Sequence, residues 1–492
     1  MPFASRPNHV DADLVWRAIE QANPWWVTGV VPRTRARQFR RHAQSTVLKV
    51  LKNAEPGRGV VVLGPRRVGK TVLLHQIAED LLATGDDPRA VLLLSLDDVA
   101  LRGADIGDVL DVLALRAPAT GQRTKYLLLD EVQHSPDWSG WLKRIADRRD
   151  PYVFLATGSS ATALIRGGQD AGLGRWREMQ LLPWSFREHV GLRGWRTWTF
   201  DRYDEIDLAE RDGRQSRLEL RFPRPDAEDA TLEEYLLDYL ARGGFPEVAE
   251  TEDVVEAQRH LRQDILDRAL GRDVLDSVGV DSPALERMFL RITHSPGGLW
   301  NQSNVGNDLA ISRPTVQKYL SILERAFLVF SLPNLASPIK GLPKVYLVAP
   351  SLRAALFNLT ARDVREPNEW GRLVENLVAT SVWSARPDAR QLGFWREDRS
   401  ECDFVVLGGT ASFVEVKRGG GKTAGYGIRR AAAGLRSPGV GWIVVRSGAI
   451  ARVPPTGGEG EVEVFSVCAA EWLYAHRGAD GGTLRASPGH VP

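Results

Sequence analysis

The sequence predicts a multidomain α/β protein, and three observations carry that prediction. Short, continuous apolar runs (Val60–Leu63, Val91–Leu96, Tyr126–Leu129 and Tyr152–Ala156) alternate with helical segments between residues 59 and 192. Runs of this kind belong to strands buried on both faces, as in a parallel sheet covered by helices. A second set of apolar strand-like runs fills residues 392–446. At 492 residues, the chain is long enough for roughly three domains of about 150 residues.

Composition sets further bounds. Hydrophobic residues make up 43% and charged residues 26% of the chain, so each domain can bury a core. Lys and Arg number 64 against 62 Asp and Glu. There is no global basic field, and contact with nucleic acid would have to come from local patches. The two cysteines, Cys402 and Cys468, form neither a disulfide framework nor a zinc pattern, which fits a reducing compartment. Asp11, Asp13 and Glu20 occupy an N-terminus without an apolar core, so no signal peptide is expected. No apolar run approaches the ~18 residues of a membrane span. The expected location is the cytoplasm, with no membrane partner.

Along the chain, residues 1–55 read as an N-terminal helical segment, interrupted at Asn23-Pro24 because the residue before a proline avoids the α region. Residues 56–192 hold the first α/β domain. Residues 193–284 read as an insertion followed by a helical lid. The insertion is charged and carries Phe222-Pro-Arg-Pro225, and the lid has helices at Leu232–Ala241 and Val254–Leu275 around Gly243-Gly244-Phe245-Pro246. Residues 285–350 form a helical module ending in a strand, and residues 351–476 a second α/β domain. Residues 477–492, rich in Gly, Ala, Ser and Pro, read as a disordered tail.

The first domain carries its chemistry in one loop. Gly64-Pro65-Arg66-Arg67-Val68-Gly69-Lys70-Thr71 follows an apolar strand and precedes a helix. Glycines let such a loop turn its N–H groups toward phosphate oxygens, and the helix N-terminus adds positive potential. Lys70 is placed for the β- and γ-phosphates, and the Thr71 hydroxyl for Mg2+. Downstream, an apolar strand ends in Asp130-Glu131. Asp130 suits the Mg2+ side, and Glu131 suits polarising the attacking water. The next strand ends in Thr157-Gly158-Ser159, where Thr157 or Ser159 would contact the γ-phosphate or the water, unless the residues simply cap a helix. ATP and Mg2+ are therefore the expected cofactors.

This order of strand, phosphate loop, acidic strand end and polar strand end resembles the AAA+ class of P-loop ATPases. Gly174-Arg175 through Leu181-Leu182-Pro183-Trp184-Ser185-Phe186, together with Gly243-Gly244-Phe245-Pro246-Glu247, resembles one prokaryotic AAA-like family in which the ATPase is fused to a C-terminal domain of unknown function. The resemblance spans roughly residues 20–450 and implies ATP hydrolysis. It makes Arg175 and Arg177 candidates for contacting the γ-phosphate, in the same chain or across a homo-oligomer; ion-paired surface arginines are the alternative. Ala349 stands where the family usually has an acid.

Two further constellations follow. Ser312 can cap a helix from Arg313 to Leu323, with Val316, Leu320 and Leu323 as its buried stripe and Arg313, Thr315, Gln317 and Lys318 off it. With the helices before it and the strand after it, this reads as a winged-helix-like module, for DNA or for protein contacts. Near the C-terminus a helical Glu375 precedes Asp403 on one strand and Glu415-Val416-Lys417 on the next. This D…[DE]-x-K pattern resembles the restriction-endonuclease-like fold. The resemblance assigns catalysis to Asp403, Glu415 and Lys417 and Mg2+ or Mn2+ ligation to Asp403, Glu415 and Glu375. The expectation is a DNA-associated ATPase whose nucleotide state controls a metal-dependent nuclease, in defence or DNA processing. An ATP-dependent switch with an inert, partner-binding nuclease-like domain is the rival.

Overall fold

The computed structural model describes residues 11–85, 87–116, 125–158, 175–192, 231–263, 270, 281–385, 391–408, 411–417, 424–448, 451–453, 462–475 and 482–485. The chain divides into two compact units. One comprises residues 1–65, 69–181 and 484–492, and the other residues 66–68 and 182–483.

In the first unit, α1 (Ala12–Ala22) starts at Asp11, whose carboxylate accepts from Asp13 N and Leu14 N, and buries Val15, Ala18 and Ile19. It ends at Asn23-Pro24, as the sequence predicts. Short helices α2 (Trp25–Thr28) and α3 (Arg33–Ala36) lead to α4 (His42–Lys52). The sheet is built from β1 (Gly59–Leu63), β2 (Val91–Ser95), β3 (Tyr126–Asp130), β4 (Val153–Gly158) and β5 (Trp176–Leu181), with α5 (Lys70–Leu82), α6 (Ile106–Arg116) and α7 (Trp138–Arg148) in the connections. These five strands are parallel in the order β5-β1-β4-β3-β2. The four predicted strands are present. β5 lies in a stretch that the sequence marks only by its motif, because Arg177 and Glu178 interrupt the apolar run.

The β2 edge is closed by the N-terminal segment. Asn23 Nδ2 donates to Leu93 O at 2.8 Å, and Asn23 Oδ1 accepts from Leu93 N at 2.7 Å. The indoles of Trp25 and Trp26 both donate to Val91 O. The side-chain amide imitates a neighbouring strand, so the edge offers no template for pairing with another chain. The first 55 residues thus share a unit with the sheet. Gly482–Arg485, within the stretch expected to be a disordered tail, forms strand β14 beside β5. The rest of the tail and the expected insertion at 193–230 lie outside the described residues.

The second unit opens with α8 (Phe186–Leu192), α9 (Leu232–Arg242), α10 (Pro246–Ala249) and α11 (Val254–His260). The helix expected to reach Leu275 is described only in its first part. Then come α12 (Ser282–His294), α13 (Gln302–Leu309) and α14 (Arg313–Arg325), followed by β6 (Val329–Leu332) and β7 (Lys344–Leu347), which pair antiparallel. Leu299 bridges to Lys344 from the other side. Ser312 caps α14 as predicted, and Val316, Leu320 and Leu323 are buried while Arg313, Gln317 and Lys318 are exposed. Helices α15 (Ser351–Leu356), α16 (Ala361–Arg365) and α17 (Pro367–Ala385) precede a second sheet.

That sheet contains β8 (Leu392–Glu397), β9 (Ser400–Val406), β10 (Ala411–Val416), β11 (Gly439–Val445), β12 (Ala451–Val453) and β13 (Glu463–Cys468), with α18 (Tyr426–Leu435) and α19 (Ala469–Ala475). β8, β9 and β10 form an antiparallel meander, and β11 then runs parallel to β10. The sequence suggests mainly strands over 392–446, and α18 corrects this. Its Ile428, Ala431 and Ala432 are spaced for a helix and buried, but alanines and glycines there give a weak apolar signal. One apolar core runs from Phe186 to Leu473, joining the segments that the sequence separates into lid, helical module and C-terminal domain.

β7 is tied to α17 by the device seen at β2. Asn376 Nδ2 donates to Leu347 O at 2.8 Å, and its Oδ1 accepts from Leu347 N at 2.9 Å. Replacing Asn376 by Ala leaves the buried Leu347 N–H unpaired, while the Thr380 hydroxyl remains 3.3 Å from Leu347 O, and the loss costs about 1–3 kcal/mol. Denaturant unfolding of the full chain should show that loss as a lower midpoint without a changed slope.

Candidate functional site

The phosphate loop leaves β1 at Leu63 and enters α5 at Lys70. Gly69 has φ +97° and Arg67 φ +63°. The first of these suits only glycine without strain. Lys70 is 4% exposed, and its ammonium donates to Gly64 O at 3.1 Å and Pro65 O at 2.9 Å. The loop's own carbonyls therefore accept from the buried charge.

Four of the predicted residues, Thr71, Asp130, Glu131 and Thr157, converge. Thr71 Oγ1 donates to Asp130 Oδ2 at 2.7 Å. Thr157 Oγ1 donates to Asp130 Oδ1 and accepts from Glu131 N at 3.2 Å. Asp130 is buried, and burial, with Glu131 adding to it, raises its pKa to about 6 despite the two hydroxyls. A hydroxyl in contact with a carboxylate at the strand tip is an oxygen pair fit for Mg2+. Glu131 takes φ +52°, a left-handed conformation that costs a side-chain-bearing residue energy and clusters at functional sites; Gln133 Nε2 donates to its carboxylate. Of the two polar residues offered at the end of β4, Thr157 makes these contacts, and Ser159 lies outside the described residues. Arg175 donates from Nε to Asp147 Oδ1 at 2.8 Å, and the guanidinium holds the Asp147 carboxyl below its usual range.

One neighbour escaped the sequence reading. His75, one turn after Thr71, is buried, donates from Nδ1 to Thr71 O at 2.9 Å and meets Trp25 edge-on. Burial lowers its pKa, so it packs as a neutral ring beneath the loop. A lone His in an apolar helix gives no signal of this.

The C-terminal residues also come together. Glu415, on the central strand β10, is 2% exposed. Lys417 follows the strand and lies 3.5 Å from Glu415 Oε2. Asp403 on β9 accepts at Oδ2 from Val416 N at 2.9 Å. Burial raises both Glu415 and Glu375 to about 7. Gly427 of α18 makes room for this packing, since a Cβ there would stand 2.0 Å from Glu401 O and 2.3 Å from Glu415 Oε1. A cavity of about 230 Å3 opens beside Trp370, Arg372, Glu375 and Lys417.

The sequence reading missed Lys344 and Tyr346. The Lys344 ammonium is 2.6 Å from Glu401 Oε1, 3.8 Å from Glu375 Oε1 and 3.9 Å from Asp403 Oδ1. Burial acts to lower its pKa, but Asp403, Glu375 and Glu401 together outweigh it and the net shift is upward. Tyr346 Oη donates to Glu375 Oε1 at 3.0 Å. Among the described residues, no group of three or more His, Cys, Asp or Glu side chains stands close enough to hold a metal ion. Glu375, Asp403 and Glu415 therefore do not close into a ligand set in this structure. Lys344 lies some thirty residues upstream of Glu375, in a strand with no motif to mark it.

Residues 57–190 match the family model described as AAA domain, and residues 233–363 match one described as Domain of unknown function (DUF8612). The chain is 22% identical over 370 residues to an uncharacterized protein of Methanocaldococcus jannaschii, covering 73% of this chain and 75% of that one. It is 28% identical over 285 residues to an uncharacterized protein of Haemophilus influenzae, covering 55% of this chain and 61% of the relative, so it spans less than two thirds of that relative's length. Solved structures with similarity include domain III of the replication initiation protein DnaA from Thermotoga maritima (17% identity, 35% of this chain, 73% of that chain, TM-score 0.22). PCH-2 of C. elegans is another (17% identity, 63% and 72%, TM-score 0.23). With its phosphate loop and parallel sheet, the matched N-terminal region is an AAA-type P-loop ATPase domain. Among the described residues no helix is long and apolar enough to cross a membrane.

Two outcomes follow for substitutions here. Thr157→Val removes the hydroxyl that aligns Asp130 and Glu131, and steady-state kinetics should show ATP turnover falling about 10- to 100-fold, the usual cost of losing such a support, with a smaller change in KM. Glu415 has a folded pKa of about 7 against an ordinary 4.5. Between those values the folded chain keeps a proton that the unfolded chain has lost, so this group's effect on stability worsens as pH rises through that window. Glu415→Gln should therefore raise Tm above wild type at pH 8, and the gain should vanish near pH 4.5 in thermal melts across pH.

Proposed function

We propose that this chain is a DNA-associated ATPase whose nucleotide state controls a nuclease-like C-terminal domain. The observation that carries the reading is the presence in one chain of two phosphate-directed constellations: Lys70, Thr71 and Asp130 in one unit, and Asp403, Glu415 and Lys417 in the other. The order α17-β8-β9-β10-α18-β11, with an antiparallel meander and then a parallel strand, supports the restriction-endonuclease-like assignment. Three helices followed by the β6–β7 ribbon, with Leu299 pairing to its outer side, support a winged-helix-like module. Arg313, Gln317 and Lys318, exposed toward the start of α14, are the side chains placed for phosphates and base edges.

For ATP, Thr71 and Asp130 would hold Mg2+, which neutralises charge on the β- and γ-phosphates when bound. Lys70 exchanges its carbonyl partners for phosphate oxygens. Glu131 orients the attacking water, and Thr157 fixes the Asp130 carboxylate and the Glu131 backbone by its two hydrogen bonds. Arg175 contributes only after its pair with Asp147 opens.

A specific observation favours a second reading, an ATP-dependent switch whose C-terminal domain binds without cutting. The Lys344 ammonium already balances Glu375, Glu401 and Asp403, and the carboxylates as they stand do not fit a divalent ion. The deciding experiment is cleavage of circular and linear DNA with Mg2+ or Mn2+, with and without ATP. Under the first reading, wild type cuts, Lys417→Ala does not, and Lys70→Ala changes the ATP dependence while abolishing hydrolysis. No cutting by a wild type that hydrolyses ATP leaves the switch.

A further inference from the structure

A cavity of about 500 Å3 lies among α12, the start of α13 and β7. Lys344 and Tyr346 reach Glu375 from one face of β7, and Val345 between them lines the cavity on the other, as strand alternation requires. The volume falls within the range of about 300–1,000 Å3 that small-molecule sites occupy. Its walls carry one sign of charge. Arg287 and Arg291 line it from successive turns of α12, and none of the described residues lining it is Asp or Glu. Arg291 pairs with Asp308, but the two side chains are 42% and 52% exposed, so that pair is weak and can be exchanged. Arg287 is exposed and has no ion pair among the described residues. The floor is apolar, with Ile292, Val305 and Val345 all buried.

Trp300 adds an independent observation. Its ring lines the cavity at 6% exposure, and its buried indole N–H has no hydrogen-bond partner among the described residues. A buried donor is costly to leave unpaired, and an acceptor seated in the cavity would supply the partner. The ring is fixed from behind rather than carried on a loose loop. Trp300 N donates to Pro343 O at 2.7 Å and Gly297 N to Val345 O at 2.8 Å. Gly297 takes φ +78°, and a Cβ there would stand 2.7 Å from Tyr346 Cε1, so the turn into Trp300 closes tightly over β7. At the start of α13, Asn301 Oδ1 already accepts from Ser303 N and Asn304 N. The groups offered to a ligand are therefore side chains, not free helix N–H groups.

We infer that this cavity binds a small organic anion, its phosphate or carboxylate held by Arg287, Arg291 and the Trp300 N–H, and its apolar or aromatic body set against Ile292, Val305 and Val345. Water alone would satisfy the indole. Two guanidinium groups above an apolar floor select a ligand that carries both a negative group and carbon. Gln302, which meets Arg313 and Gln317 of α14, does not line the cavity, so the site is separate from the face offered to DNA. Nor does it depend on the nuclease-like reading.

The test uses the full chain and two probes, phenyl phosphate and benzoate, followed by titration calorimetry and ligand-observed proton NMR. Benzyl alcohol and inorganic phosphate stand for the body and the anion alone. At least one probe should bind, and which one binds identifies the anionic group. Benzyl alcohol and inorganic phosphate should displace it only at concentrations about tenfold higher or more. Arg287→Ala should weaken the probe at least about tenfold, and Trp300→Phe, which removes the N–H but keeps a ring, about fivefold. Arg287 is exposed, so its variant decides the matter if melts show that Trp300→Phe folds poorly. No binding of either probe at millimolar concentration overturns the inference. So does inorganic phosphate binding as tightly as the probe, which leaves no site for an organic body. Binding that Lys70→Ala removes and Arg287→Ala leaves unchanged belongs to the phosphate loop and overturns it too. If Arg287→Ala weakens duplex DNA while neither probe binds, the arginines contact a nucleic-acid backbone and the cavity is not a ligand site.

Discussion

Burying a charge without an equal and opposite partner is the constraint on which both candidate sites depend. Asp130 ends the β3 strand at 3% exposure, where its carboxylate would be expensive without partners. Two hydroxyls, from α5 and from the end of β4, supply them. That arrangement joins the phosphate loop to two strand tips and fixes the mutual geometry of Thr71, Asp130, Thr157 and Glu131. Lys70 obeys the same rule in mirror image, as a buried ammonium parked on two loop carbonyls.

In the other unit the constraint is met by bringing distant chain segments together. Glu375 comes from a helix, Asp403 and Glu401 from one strand, and Lys344 from a ribbon outside the second sheet. Lys344 could not be buried alone at this cost, and the half-buried carboxylates around it supply its partners. The ribbon is held to the helix by the Asn376 amide, and the first sheet's edge is closed by the Asn23 amide in the same way. In both places a side-chain amide satisfies the N–H and C=O of a single strand residue. It anchors a segment that no ladder would otherwise reach.

Local patterns in the sequence determined much of this protein. The phosphate loop, the strands ending in Asp130 and Thr157, the break at Asn23-Pro24, the Ser312 cap and the buried stripe of α14 are all written within windows of a few residues. Their causes are equally local: turn chemistry, capping and apolar periodicity. Asp403, Glu415 and Lys417 were legible as neighbours because a short turn between two strands fixes their spacing. Only the tertiary structure decided what these groups face. Lys344 meets its carboxylates across separations of about thirty to sixty residues, Thr157 reaches Asp130, Arg175 turns to Asp147, and α18 closes on Glu415 through Gly427. Such pairings follow from how buried charges are shared among elements remote in sequence, and no local pattern records them.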